Sequence, residues 1–102
     1  MASEGSFLGF VLDQLSDLGV TARAMFGAHG LYLGKQFFGI VYGDRLYLKT
    51  GDSTRGWYEE RGVPTFHPTP KQHLKNYYEV PPDAVEDRER LLDLADEAAR
   101  LP

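Results

Sequence analysis

The sequence predicts an α+β domain: an antiparallel or mixed sheet of about five strands, in chain order α-β-β-β-β-α-β-α, with helices packed mainly on one face. Three observations carry this. The hydrophobic period is helical at both ends of the chain and close to two in the middle. The breaks between the middle segments are two to four residues long, which is hairpin length and demands antiparallel neighbours. The strands come in a run with helices around it, the arrangement of α+β and not of a parallel α/β fold. With 102 residues, 42% hydrophobic and 25% charged, the chain is expected to be one domain, residues 1–102, with its own core.

The elements follow in order. Phe7, Leu8, Val11, Leu12, Leu15 and Leu18 recur at three- and four-residue spacing and form one apolar stripe of a helix. Ser3 or Ser6 can cap its start, Glu4 suits the dipole there, and Gly19 suits a left-handed stop. Strands are expected at Val20–Phe26, Leu31–Leu33, Phe37–Tyr42 and Leu46–Thr50, broken at Gly27 and Gly30, at Gly34-Lys35 and at Gly43-Asp44. A short helix, Thr54–Arg61, ends at Gly62. Pro64, Pro68 and Pro70 make the next stretch a loop or an edge segment. Leu74–Val80 is the fifth strand, stopped by Pro81-Pro82. The closing helix carries Leu91, Leu94, Ala95, Ala98 and Leu101 on one face, and starts at Asp83 or at Asp87.

Composition excludes several functions. The absence of cysteine removes disulfides, thiolate metal sites and a Cys nucleophile, and fits a reducing compartment. No apolar run approaches the ~20 residues of a membrane span, and the first residues lack the basic region of a signal peptide, so a cytoplasmic location is expected. His67 and His73 have no standard zinc spacing, and His29 sits between glycines; all three read as surface or satisfied histidines. The glycines form neither a phosphate loop nor a dinucleotide fingerprint. Asp13 with Asp17, and Glu59 with Glu60, read as solvated faces without a partner. No catalytic residue, cofactor or metal is expected.

The net charge of −4 is unevenly spread. Residues 1–20 hold −3, residues 81–102 hold −4, and residues 21–80 hold +3 together with eleven of the thirteen aromatics between Phe26 and Tyr78. In Arg45-Leu46-Tyr47-Leu48-Lys49, alternation sets the leucines against Arg45, Tyr47 and Lys49. Tyr32 opposes Leu31 and Leu33 in the same way, and Lys75 and Tyr77 alternate with Leu74 and Tyr78. If the leucines mark the helix-covered side, then Tyr32, Arg45, Tyr47, Lys49, Lys75 and Tyr77 form the outer face. Such a face fits three readings: ordinary strand decoration, a protein or self-association interface, or a platform for single-stranded bases. Residues 35–42 look slightly like the aromatic strand of an RNA-recognition motif, but Gln36 stands at a glycine position and the element order differs. Phe37–Tyr42 is apolar on both sides, with Phe38, Ile40 and Tyr42 set against Phe37, Gly39 and Val41. A strand of that kind wants cover on both sides, and a second subunit is the expected cover. A homodimer is therefore expected.

Residues Arg23, Met25, Phe26, Gly27, Gly30, Leu31 and Tyr32 stand in a segment that resembles the Arg-x-Met-Phe-Gly-Gly-x-Gly-Leu-Tyr pattern of the TfoX (Sxy) N-terminal domain family, with Ala28 where a second glycine is common. Leu46–Lys49 resembles that family's Leu-Tyr-Leu-Lys strand, and Tyr77–Pro81 its Tyr-Tyr-x-Val-Pro segment. The three motifs are collinear and the resemblance covers about residues 7 to 100. It implies an α+β domain with no catalytic residues and no cofactor. Full-length members are bacterial regulators of natural competence, thought to work with a transcription activator. The chain ends at Pro102, so no counterpart of the family's C-terminal, helix-hairpin-helix-like domain is expected. The resulting expectation is a non-enzymatic domain acting by protein–protein contact in transcriptional regulation. Direct nucleic-acid binding through Arg45, Lys49, Lys75 and the tyrosines is the alternative.

Overall fold

The computed structural model describes residues 3–25 and 27–102, with side chains described from Phe7 onward. Phe26 and the side chains of Ser3, Glu4 and Ser6, and with them the expected caps of the first helix, lie outside the described residues.

Helix α1 spans Ser3–Gln14. The apolar stripe continues past it, but Leu15 turns out of the helix into a single 3₁₀ turn, Ser16–Leu18, closed by Gly19 at φ 73°. That left-handed angle is where a glycine is needed, as the sequence suggests. Strands β1 (Thr21–Met25), β2 (Ala28–Leu33), β3 (Gln36–Tyr42) and β4 (Arg45–Lys49) form an antiparallel meander. Helix α2 is Arg55–Glu60. Strands β5 (Thr65–Thr69) and β6 (Gln72–Glu79) form a hairpin, and helices α3 (Pro82–Glu86) and α4 (Arg88–Arg100) close the chain. The fold is α+β, with a six-stranded antiparallel sheet in the order β1-β2-β3-β4-β6-β5.

The proline-rich stretch is thus the edge strand β5. Pro68 is tolerated because an edge strand has one side free of ladder bonds. The ambiguous start of the last helix resolves into two helices. Asp87 adopts an extended conformation between them and accepts a hydrogen bond from the Arg90 amide at 3.2 Å, capping α4.

One face of the sheet carries the main core. Leu91, Leu94, Ala95 and Ala98 of α4, with Val11 and Leu15 from the α1 region, pack on Leu31, Phe38, Val41, Leu46 and Leu48. Arg88 ties the two helical ends together: its guanidinium donates to the Asp13 carbonyl at 3.0 Å and lies 3.2 Å from the Asp17 carboxylate.

The alternation expected in β3 fails at one residue. Leu31 pairs with Gly39 and Tyr32 with Phe37, so Phe38 is an extra residue in a β-bulge. The bulge sends Phe38 into the helix-side core together with Val41, while Phe37 and Ile40 belong to the opposite face. A strict period of two would have put Phe38 with Ile40 and Phe37 with Val41.

Candidate interaction face

The opposite face is a second apolar layer made of Ala28, Ile40, Tyr47, Phe66 and Tyr77, with Phe37 against it. Ala28 is on β2 and Phe66 on β5, four strand steps apart in the sheet order. In a flat sheet those strands would lie about 19 Å apart. Their shared cluster therefore requires the sheet to curl, so that the β5–β6 hairpin folds back over β2 and β3. The rings follow this curvature. Tyr32 meets Phe37 at 5.3 Å, and Phe37 stacks on Tyr77 at 5.3 Å. Phe66 packs edge-on against Tyr47 at 5.0 Å and Tyr42 at 5.6 Å.

Gly30 is the tight point of this layer. A Cβ there would lie 2.8 Å from Met25 Sδ, 3.1 Å from Phe37 Cε1 and 3.2 Å from Tyr32 Cε1. Only a residue with no side chain lets these three groups converge over β2.

The expected site residues fall as follows. Tyr47 is 6% exposed and Tyr77 9%. Burial pushes the Tyr77 phenol up to about 12, with the nearby Tyr32 phenol adding to the effect. Burial also raises Tyr47, and the Glu79 carboxylate adds to that while Arg45 opposes it. Tyr32 is half-buried at the β1 side of the layer, with the Arg23 guanidinium 5.5 Å from its ring centre. The exposed Arg45 guanidinium lies 3.1 Å from the Glu79 carboxylate. Lys49 Nζ donates to the Pro102 oxygen at 2.9 Å.

Lys75 is exposed and makes no ion pair among the described residues. It stands where the β5–β6 register breaks: Thr65 pairs with Tyr78, but Phe66 pairs with Leu74, so residues 75–77 have no partner in β5, while Tyr77 still pairs with Lys49 of β4. Lys75 is exposed there, whereas Tyr77 is buried in the layer. The tyrosines converge with Phe37 and Phe66; the cations are spread around the margin.

Of the motif residues, Arg23 is exposed, Met25 closes β1, Gly27 is in the turn, Gly30 is buried in β2 and Leu31 lies fully in the helix-side core. Phe66, central to the layer, was hidden from sequence reasoning among the prolines. The signal that would find it is Pro70, a turn former that opens the turn between Thr69 and Gln72.

Two clefts flank Phe66. One, about 450 Å³, includes Tyr42, Arg45, Tyr47 and His67 in its lining. The other, about 420 Å³ and mainly apolar, includes Met25, Ala28, Phe66 and Leu74. The rings of His67 and His73 stack at 4.4 Å, and His73 Nε2 shares a 2.7 Å hydrogen bond with the Thr65 hydroxyl. His29 lies in β2 opposite Val41 with its Nδ1 buried, and is not in a turn. Among the described residues no group of three or more His, Asp or Glu side chains is placed to hold a metal ion, and no helix is long and apolar enough to cross a membrane.

These features define an α+β domain whose sheet carries helices on one side and closes on itself over aromatic rings on the other. The chain belongs to the TfoX N-terminal domain family, whose model matches residues 13–101, nearly the whole chain. That family is one of competence-related regulatory domains. The chain is also similar to a curated protein of Spirochaeta aurantia described as an uncharacterized 12.7 kDa protein in the trpE 5' region. The two are 36% identical over 104 residues, which span 100% of this chain and 86% of the relative.

Proposed function

We propose that this chain is a non-enzymatic, cytoplasmic domain that regulates transcription through protein–protein contact. The family supports the regulatory part of this reading. The observation that favours protein over nucleic acid is the burial of Tyr47 and Tyr77, 6% and 9% exposed within the curled sheet. Base stacking needs rings presented on an open platform, and these two are covered. Arg45 and Lys49 already have oxygen partners in Glu79 and Pro102. What the layer leaves accessible is a margin of apolar and mixed surface, with Tyr42 37% and Leu74 39% exposed on either side of Phe66. Surface of that kind suits a protein partner.

A homodimer is the form of this reading in which the partner is a second copy. The helices and the β5–β6 hairpin cover both apolar sides of β3 within the chain, so the surface a second copy would meet is the exposed margin.

The test is affinity capture from a lysate of the source organism, with and without nuclease, and a mobility shift with single- and double-stranded DNA at ~50 mM salt. The expected result is a captured protein that survives nuclease, and no DNA shift. Loss of the captured protein on nuclease treatment, or a salt-sensitive DNA shift, would overturn the reading.

A further inference from the structure

The corner where β1 meets the β2–β3 turn is cationic without compensation. From Asp17 to Asp44 the chain carries no acidic residue between them, yet it carries Arg23 and Lys35. Both line one pocket of about 230 Å³, together with Thr21, Tyr32 and Gly34. Among the described residues Arg23 and Lys35 make no ion pair, as is also true of Arg90, Lys71 and Lys75; what sets these two apart is that they share one pocket with no acidic residue in its lining. Arg23 is held instead over the Tyr32 ring, itself braced by Phe37 and, through it, Tyr77. A guanidinium fixed by a ring keeps its donors free and oriented for an oxyanion, which it can hold with two parallel hydrogen bonds. Lys35, Thr21 and Tyr32, which line the same space, are residues that carry further donors.

The strand beside the pocket is also open. β1 pairs with β2 through all five of its residues and lies at the end of the sheet order, so among the described residues its outer edge has no strand partner. It contains no proline. An edge of this kind accepts an added extended segment, whose main chain supplies affinity and whose side chains supply specificity.

We propose that the Arg23–Lys35 pocket receives a side-chain carboxylate from an acidic, extended segment of a partner protein lying along β1. The proposal rests on the protein-contact reading and names the chemistry of the partner.

The test is an amide chemical-shift titration of the full chain with three probes: a short acetylated, amidated peptide alternating valine and glutamate, its glutamine counterpart, and inorganic phosphate. The glutamate peptide should shift the amides of β1, Gly34 and Lys35, and the glutamine peptide should not. Arg23→Gln and Lys35→Gln should each weaken the glutamate peptide by about tenfold. Lys35 lies exposed in a turn, so that variant reads the pocket even where the change at Arg23 disturbs the edge. Equal shifts from both peptides, no shifts in this region, or undiminished binding in both variants would overturn the proposal. So would phosphate shifting these amides where the peptide does not, which makes the pocket a small-anion site. Self-association of Arg23→Gln without peptide binding by the parent chain also overturns it, because Arg23 then only guards the edge. Nuclease-resistant capture that persists in both variants overturns this surface and leaves the protein-contact reading standing; capture abolished by nuclease overturns that reading itself.

Discussion

If the β5–β6 hairpin closes the aromatic layer, then Phe66→Ala should open it. Phe66 is 7% exposed, and its ring stands edge-on to Tyr47 at 5.0 Å and to Tyr42 at 5.6 Å. Replacing a well-buried phenylalanine by alanine costs about 3–5 kcal/mol, lost transfer energy and residual cavity together. The two ring contacts fall within that figure, at about 0.5–1.5 kcal/mol each. β5 is an edge strand and can settle toward the gap, which places the expectation near the lower bound, about 3 kcal/mol. For a domain of this size that lowers Tm by about 12–24 °C. Urea denaturation followed by Trp57 fluorescence measures the loss. A second readout is specific to the geometry. Burial raises the Tyr47 phenol, so uncovering it should bring its ionisation back toward the ordinary tyrosine range. A loss below about 1 kcal/mol with the Tyr47 titration unchanged would refute the closed layer, because Phe66 would then be a surface residue of a flat edge.

Three further outcomes follow from the same packing. Gly30→Ala should cost about 1–3 kcal/mol in urea denaturation, since Met25 can swing away from the new methyl but the Phe37 and Tyr32 rings, packed against each other with Phe37 stacked on Tyr77, cannot. Stability should fall in alkali: Tyr77 titrates near 12 when folded and near 10 when unfolded, so its contribution of roughly 2–3 kcal/mol is complete below pH 10 and is lost as the pH climbs to about 12, with Tyr47 and Tyr58 acting in the same direction. Urea midpoints across that window, with phenolate absorbance, check the sign. Asp87→Ala should cost about 1 kcal/mol by leaving the Arg90 amide at the start of α4 without its cap, measurable as a lower urea midpoint.

Much of the fold was legible because its signals are local. The apolar stripe of α4, the turn glycines of the meander and the stop at Pro81-Pro82 each act within a few residues, and the α+β architecture follows from their order. The departures have equally local causes that a period count does not see. Leu15 carries a core position past the end of α1 because the stripe continues into a 3₁₀ turn. Asp87 divides what reads as one helix because it both caps α4 and stays extended. Phe38 reverses the facing of half of β3 by being one residue too many.

The site was legible in a different and narrower sense. Alternation in β4 puts Arg45, Tyr47 and Lys49 opposite Leu46 and Leu48, and Leu46 and Leu48 do lie in the helix-side core. Alternation assigns a side chain to a face, but it carries no information about what lies above that face. That is decided by sheet curvature, a property of six strands together, and here it brings β5 over β2. Tyr47 and Tyr77 thereby become core residues of a second layer, and a serine in either place would lower stability before it altered any contact. The same curvature leaves Tyr32 at the rim, where its ring is still half-open and Arg23 can lie over it. Of the face expected from sequence, Arg45, Lys75 and the half-open Tyr32 therefore remain accessible, and Tyr32 stands at the β1 corner, where the only charges between Asp17 and Asp44 are positive.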